Sequence, residues 1–114
     1  MKTDTENENN MKALFIIVNA GFADDVVELA RETGVVGATI INARGAGAPR
    51  SIMGITVDTE KEMIFSIVSE NVAGAVMAAV KERAGIKTPA HAVCFAMPVD
   101  RTAGIGLAAP QTQP

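Results

Sequence analysis

Tryptophan and tyrosine are absent from this sequence, and four phenylalanines supply all of its aromatic side chains. A core made from it must be built of Val, Ile, Leu, Ala and Met. One cysteine, Cys94, excludes an internal disulfide and a cysteine-based zinc cluster, and suits a reducing cytoplasmic setting. Basic residues are outnumbered, ten Lys and Arg against thirteen Asp and Glu, for a net charge of -3. That excludes sequence-independent nucleic-acid binding, which needs clustered cations to neutralise phosphates. No apolar run approaches the roughly 20 residues of a membrane span. The start, MKTDTENENN, is polar and acidic, unlike a signal peptide or an anchor. A cytoplasmic protein with no membrane-inserted part is expected.

What is present is apolar sequence in short, regular pieces. The 114 residues are 48% hydrophobic, enough for one domain. Residues 1–10 have nothing to bury and read as a disordered tail, 11–105 as the folded domain, and the Pro- and Gln-rich 106–114 as a flexible end. KALFIIVN (12–19) has the length and β-branched content of a strand. In the following AGFADDVVELARETG, Phe22, Val26, Leu29 and Ala30 share one face of a helix. Asp24, Asp25 and Glu28 crowd its start and Arg31 its end, as the helix dipole favours, and Gly34 suits a left-handed C-cap. VGATIINAR is a second strand and Glu62–Val68 the surest part of a third. SENVAGAVMAAVKERAG is a second helix, with Ser69 or Asn71 as N-cap, Gly85 as C-cap, and Val72, Val76, Ala79 and Val80 at helical spacing. HAVCFAMP is the fourth strand.

The order is strand–helix–strand, twice, and the halves resemble each other. Two such units give an α+β fold, the ferredoxin-like sandwich (βαββαβ), an antiparallel sheet with both helices on one face. With one face covered, the strands should alternate apolar and polar. LFIIV, MIFSIV and VCFAM are instead nearly continuous apolar runs. Either Phe15 and Ile17 or Leu14 and Ile16 must sit on the uncovered face, leaving a patch larger than soluble monomers tolerate. An oligomer whose sheets pack together is expected.

The chemistry-bearing residues are few. ARGAGAPRSIMG (43–54) contains Gly45-x-Gly47, but no third glycine and no helix follow, as a dinucleotide motif would need, and no Gly-Lys-Ser/Thr forms a Walker loop. It reads as a flexible connector, or as an anion site in which glycine amides share a charge with Arg44 and Arg50. His91, the lone histidine, lacks neighbours at metal-ligand spacing and reads as a surface or satisfied strand residue. Cys94, between Val93 and Phe95, reads as a small buried hydrophobe. Asp58, Glu60 and Glu62 read as a solvated edge, and the six methionines as gap-fillers in the core. No nucleophile–base–acid set emerges, which favours a binding or regulatory protein over an enzyme.

These residues resemble the P-II nitrogen regulatory family over roughly 11–105. The resemblance is carried by ETGVVGATIINARGAG, EKEMIFSIVSENVAGAVMAAV and MPVDRTAGI. It implies a homotrimer whose sheets face inward, an adenine nucleotide bound between subunits, and a regulated enzyme or transporter as partner. Gly37, Thr39, Arg44, Gly45 and Gly47 match the family's positions, with Thr39, Gly45 and Gly47 as implied nucleotide contacts. The departures are specific. The partner-docking loop is cut to about APRSIMGITVDTE and holds no tyrosine to modify. The family's Gly-acid-Gly-Lys phosphate cradle is Ala90, His91, Ala92 and Val93 here. Two basic residues after the last strand fall on Gly104 and Gly106, leaving Arg101.

The expectation is a P-II-like regulator binding a small anionic effector through Thr39, Arg44, Gly45, Gly47 and Arg50, with His91 and Arg101 approaching the same cleft. The alternative is a small ferredoxin-like oligomeric enzyme with an intersubunit or sheet–helix pocket, for which His91 is the one titratable candidate. An RNA-recognition module shares the topology, but Phe15, Phe65 and Phe95 lack basic company. A CutA-type trimer, close in architecture, is not matched by so aromatic-poor a chain.

Overall fold

The computed structural model describes residues 10–46, 50–52, 55–57 and 60–104. The tails expected at 1–10 and 106–114 fall outside these, apart from Asn10, as does Gly47. The elements are β1 (Met11–Asn19), α1 (Ala23–Glu32), β2 (Thr39–Arg44), β3 (Arg50–Ile52), β4 (Ile55–Val57), β5 (Glu60–Ser69), α2 (Glu70–Arg83) and β6 (Val93–Pro98). Four strands form an antiparallel sheet ordered β2-β5-β1-β6, and β3 pairs with β4 in a separate hairpin. This is the βαββαβ sandwich that the strand and helix order implies.

Register decides which side chains meet the helices. Along β1, Leu14, Ile16 and Val18 are fully buried, and along β5, Ile64 and Val68 are buried. They pack with Val26, Leu29 and Ala30 of α1 and Ala73, Val76 and Val80 of α2 in one cluster. Ala73 takes the buried place expected for Val72 and Ala79, which pack half-buried at its edge. Because side chains alternate with period two, a one-residue slip would turn the whole buried set outward.

The helix ends are fixed locally. After α1, Val35 N–H donates to Ala30 O and Gly34 N–H to Arg31 O, both at 3.1 Å, with Gly34 at φ 120°. This is the paired closure that a positive-φ residue past the helix end permits. Ser69 caps α2, its Oγ accepting from Val72 N–H at 3.2 Å. Gly85 departs from expectation: Ala84 is the C-cap, and Gly85 has no positive φ. It is glycine because a Cβ there would lie 2.7 Å from Lys81 O. Glu62 departs too. It does not merely face water: its Oε1 accepts from Gly21 N–H at 3.0 Å and Ala23 N–H at 3.3 Å, capping α1 where Phe22 offers no side-chain acceptor.

The other sheet face is open. Phe65, Phe15 and Phe95 lie side by side across β5, β1 and β6, with 5.1 Å between the ring centroids of each neighbouring pair. Phe15 and Ile17, of the two sets the sequence allowed, are the ones on this face. Val93, Phe95 and Met97 of β6 and Ile41 of β2 are exposed, 39–55% of each. The apolar patch expected from the strand composition is therefore present.

Candidate functional site

Sheet register places each candidate residue. Thr39, paired with Phe65, lies on the open face at the first position of β2, which forms one edge of the sheet. Ser66 holds the approach to it: its hydroxyl, the one buried polar side chain among the described residues, donates to Gly37 O at 2.6 Å. Arg44 ends the same strand opposite Glu60, and Gly45 follows it. Five residues at about 3.3 Å each separate Thr39 from Arg44 by about 17 Å. Gly47 and the side chain of Arg50 lie outside the described residues, while the Arg50 backbone opens β3 opposite Val57.

His91 and Arg101 belong to the far edge. His91 precedes β6, exposed, with φ 49° and its N–H donated to Thr88 O at 3.1 Å. Val93 pairs with Ile17, so His91 sits at the Asn19–Lys61 end of the sheet, the end where Arg44 lies. Three strand spacings of about 4.8 Å still separate β6 from β2. Arg101 leaves the opposite end, where Val99 N–H meets Met11 O at 3.2 Å. One chain thus brings Arg44 and Gly45 together and gathers neither His91 nor Arg101 with them.

Two side chains not singled out from the sequence stand between these edges. Lys61 lies between Ala43 and Asn19 in register, at the polar end of the open face, half-buried. Its Nζ donates to Asn19 Oδ1 at 2.7 Å, and Asn19 Nδ2 donates to Pro89 O at 2.9 Å. The signal that could have found Lys61 is period two: Lys61, Met63, Phe65 and Ile67 occupy one face of β5.

Beside His91, a groove of about 780 Å³ runs between α2, the 85–88 turn and the start of β6. Met77, Val80, Ile86 and Val93 make it apolar, and Lys81 and Lys87 stand along it. Cys94 lines it as well, and burial pushes its thiol up to about 11, so it is no nucleophile at neutral pH. The adjoining loop has few free donors for an anion. Thr88, His91 and Ala92 N–H groups donate to Gly85 O, Thr88 O and Ala84 O at 3.0, 3.1 and 2.8 Å, and Pro89 has none. Among the described residues no group of His, Cys, Asp and Glu could hold a metal ion, and no helix is long and apolar enough to cross a membrane.

An antiparallel ferredoxin-like sandwich with an open apolar sheet face defines the fold class. The family model of the nitrogen regulatory protein P-II matches residues 11–106, and the chain belongs to that family. The fold agrees with solved structures. A Thermus thermophilus protein described as PII-like and signalling is 25% identical, covering 78% of this chain and 86% of that one, with a TM-score of 0.62. CPII, a nitrogen regulatory PII-like protein from Thiomonas intermedia K12 bound to ADP, AMP and bicarbonate, is 21% identical, with 83% and 96% covered and a TM-score of 0.62. The GlnK–ATP complex of B. subtilis is 18% identical, with 87% and 88% covered and a TM-score of 0.64. No curated protein sequence matches the chain significantly. P-II proteins are regulators rather than enzymes, and family and fold together support a signalling, regulatory role.

Proposed function

We propose that the protein is a homotrimeric P-II-type signal transducer that binds a small anionic effector, an adenine nucleotide, between subunits and thereby controls a partner enzyme or transporter. The division of the candidate residues between opposite sheet edges carries this reading. Residues of the β2 edge can share a ligand with residues of the β6 edge, His91 at the end where Arg44 and Gly45 lie or Arg101 at the opposite end from His91, only if a second copy brings its edge alongside. Members of the family are generally trimeric, and the open face centred on Phe15 gives copies of this chain an apolar surface to bury. Lys61 and Arg44 supply cations at the hairpin end of the cleft. The committed donors of the Thr88–Ala92 loop favour a ligand with a short anionic end over a triphosphate. The control step is a change at the β3–β4 hairpin when the ligand engages its base.

Two measurements test this. Melting curves with AMP, ADP, ATP, cyclic nucleotides, 2-oxoglutarate and bicarbonate at millimolar concentration should show a selective rise with an adenine nucleotide. Light scattering should give a trimer that Phe15→Glu dissociates, because a carboxylate at the centre of a packed apolar face is left without a partner. No shift with any of these ligands removes the sensor reading. A monomeric wild-type chain removes the shared site.

A further inference from the structure

The base of the hairpin and the 85–91 loop reach the sheet end from opposite sides of β1, and one side chain touches both. Asn19 is the last residue of β1, half-buried. Its Oδ1 accepts from Lys61 Nζ at 2.7 Å, and its Nδ2 donates to Pro89 O at 2.9 Å. Its own backbone N–H donates to Ala90 O at 2.9 Å. The carboxamide is planar, with acceptor and donor engaged in two directions, so it cannot turn without losing one of the two bonds.

We propose that Asn19 is a positioning residue that couples the hairpin base to the 85–91 loop by way of Lys61. A cationic donor on Oδ1 polarises the carboxamide and strengthens the Nδ2–H that it offers Pro89. An anion that draws the ammonium away removes that polarisation and frees the carboxamide to rotate, and the hold on Pro89 weakens. The segment released is primed to move. His91 keeps a left-handed backbone, φ 49°, which a residue with a Cβ holds only while its surroundings fix it. The other ties of the hairpin base stop at the β1–α1 turn: Ala20 N–H donates to Glu60 O at 3.0 Å, and Gly21 and Ala23 N–H donate to Glu62. Of the described side-chain bonds from Glu60–Glu62, that of Lys61 to Asn19 alone is passed on to Pro89. No other side chain of similar size does both jobs: aspartate lacks the donor, and serine is too short to span both partners.

This inference rests on the reading of the site given above, and its test has an arm that needs no ligand. Amide hydrogen exchange at His91 and Ala92, whose N–H groups are internally bonded, is measured in the full chain for wild type, Lys61→Met, Asn19→Ala and the double variant. Methionine keeps the apolar stem of Lys61 and removes the charge. Lys61→Met should speed exchange at both amides by about three- to tenfold with Asn19 present, and by less than about 1.5-fold in the Asn19→Ala background. Asn19→Asp, which keeps an acceptor for Lys61 but loses the donor to Pro89, should exchange as Asn19→Ala does. An Asn19 with a merely structural role would raise exchange in its own variants yet leave the response to Lys61→Met equal in both backgrounds. That equality, or wild-type exchange in Asn19→Asp, overturns the proposal. In the ligand arm, ADP should alter exchange at 91–92 in wild type and not in Asn19→Ala. A wild-type chain that ignores ADP sinks the nucleotide reading, while the ligand-free cycle still decides for or against Asn19.

Discussion

Removing the carboxylate of Glu62 tests whether α1 is capped from a strand some forty residues away. Glu62→Ala strips the acceptor from two backbone donors, Gly21 N–H and Ala23 N–H. Their surroundings differ. Gly21 is exposed, so water replaces the lost bond there at little cost. Ala23 is only 3% exposed, and its N–H is left without a partner away from solvent. One such orphaned donor costs about 1–3 kcal/mol, and lost N-caps centre near about 1 kcal/mol, so about 1–2 kcal/mol is expected. For a domain of this size that lowers the melting temperature by about 5–12 °C. Glu62→Gln, which keeps an oxygen acceptor without the charge, should fall about halfway. The assay is thermal unfolding at one fixed protein concentration, with exchange at the Ala23 amide read alongside. A melting temperature for Glu62→Ala within 2 °C (~0.3 kcal/mol) of wild type, with Ala23 still protected, would refute the long-range cap.

Three other substitutions or treatments have equally definite outcomes. Gly85→Ala must displace a Cβ that would sit 2.7 Å from Lys81 O, so it should cost about 1–3 kcal/mol in urea unfolding. Ser69→Ala removes the oxygen that accepts from Val72 N–H and should cost about 1 kcal/mol in the same assay. With its thiol raised from 9.0 to about 11, Cys94 should react with iodoacetamide at pH 8 about a hundredfold more slowly in the folded than in the urea-unfolded chain. The sign for stability follows: the folded state holds the proton more tightly, so this contribution is present below pH 9 and is lost as pH rises from 9 toward about 11.

How much of this could be read from the sequence depends on the range of the interaction. The nearly continuous apolar runs LFIIV and MIFSIV, and helical spacing through Val26, Leu29 and Ala30, are local signals, and from them the strands, the first helix and the open apolar face were legible. The Gly34 closure and the Ser69 cap are local as well. The β3–β4 hairpin was not legible: Arg50–Ile52 and Ile55–Val57 are three residues each and lie amid Pro49, Gly54 and Asp58, which read as loop. The roles of Glu62 and Gly85 were missed for a different reason. A cap supplied from 39 residues away and a close approach to Lys81 O are facts of packing, without trace in spacing or composition. Lys61 was half legible, because its place on the open face follows from period two, whereas its bond to Asn19, 42 residues earlier, does not.

The candidate site was less legible than the fold because, on the proposed reading, a single chain holds only halves of it. Arg44 and Gly45 end one sheet edge; His91, the Lys87 side of the groove and Arg101 follow the other. On the proposed reading the two edges match head to tail, and three copies close such a contact into a ring with three equal clefts. On that reading, the apolar face centred on Phe15 supplies the affinity between copies, and the polar edges supply the ligand contacts. Ligand affinity then depends on assembly, and by linkage assembly depends on ligand to the same degree. The short hairpin fits this arrangement. It springs from the strand that ends in Arg44 and returns into the strand that begins at Glu60, which on the proposed reading makes its base part of the cleft wall. A loop too short to reach far can still report occupancy if the ligand acts at its root.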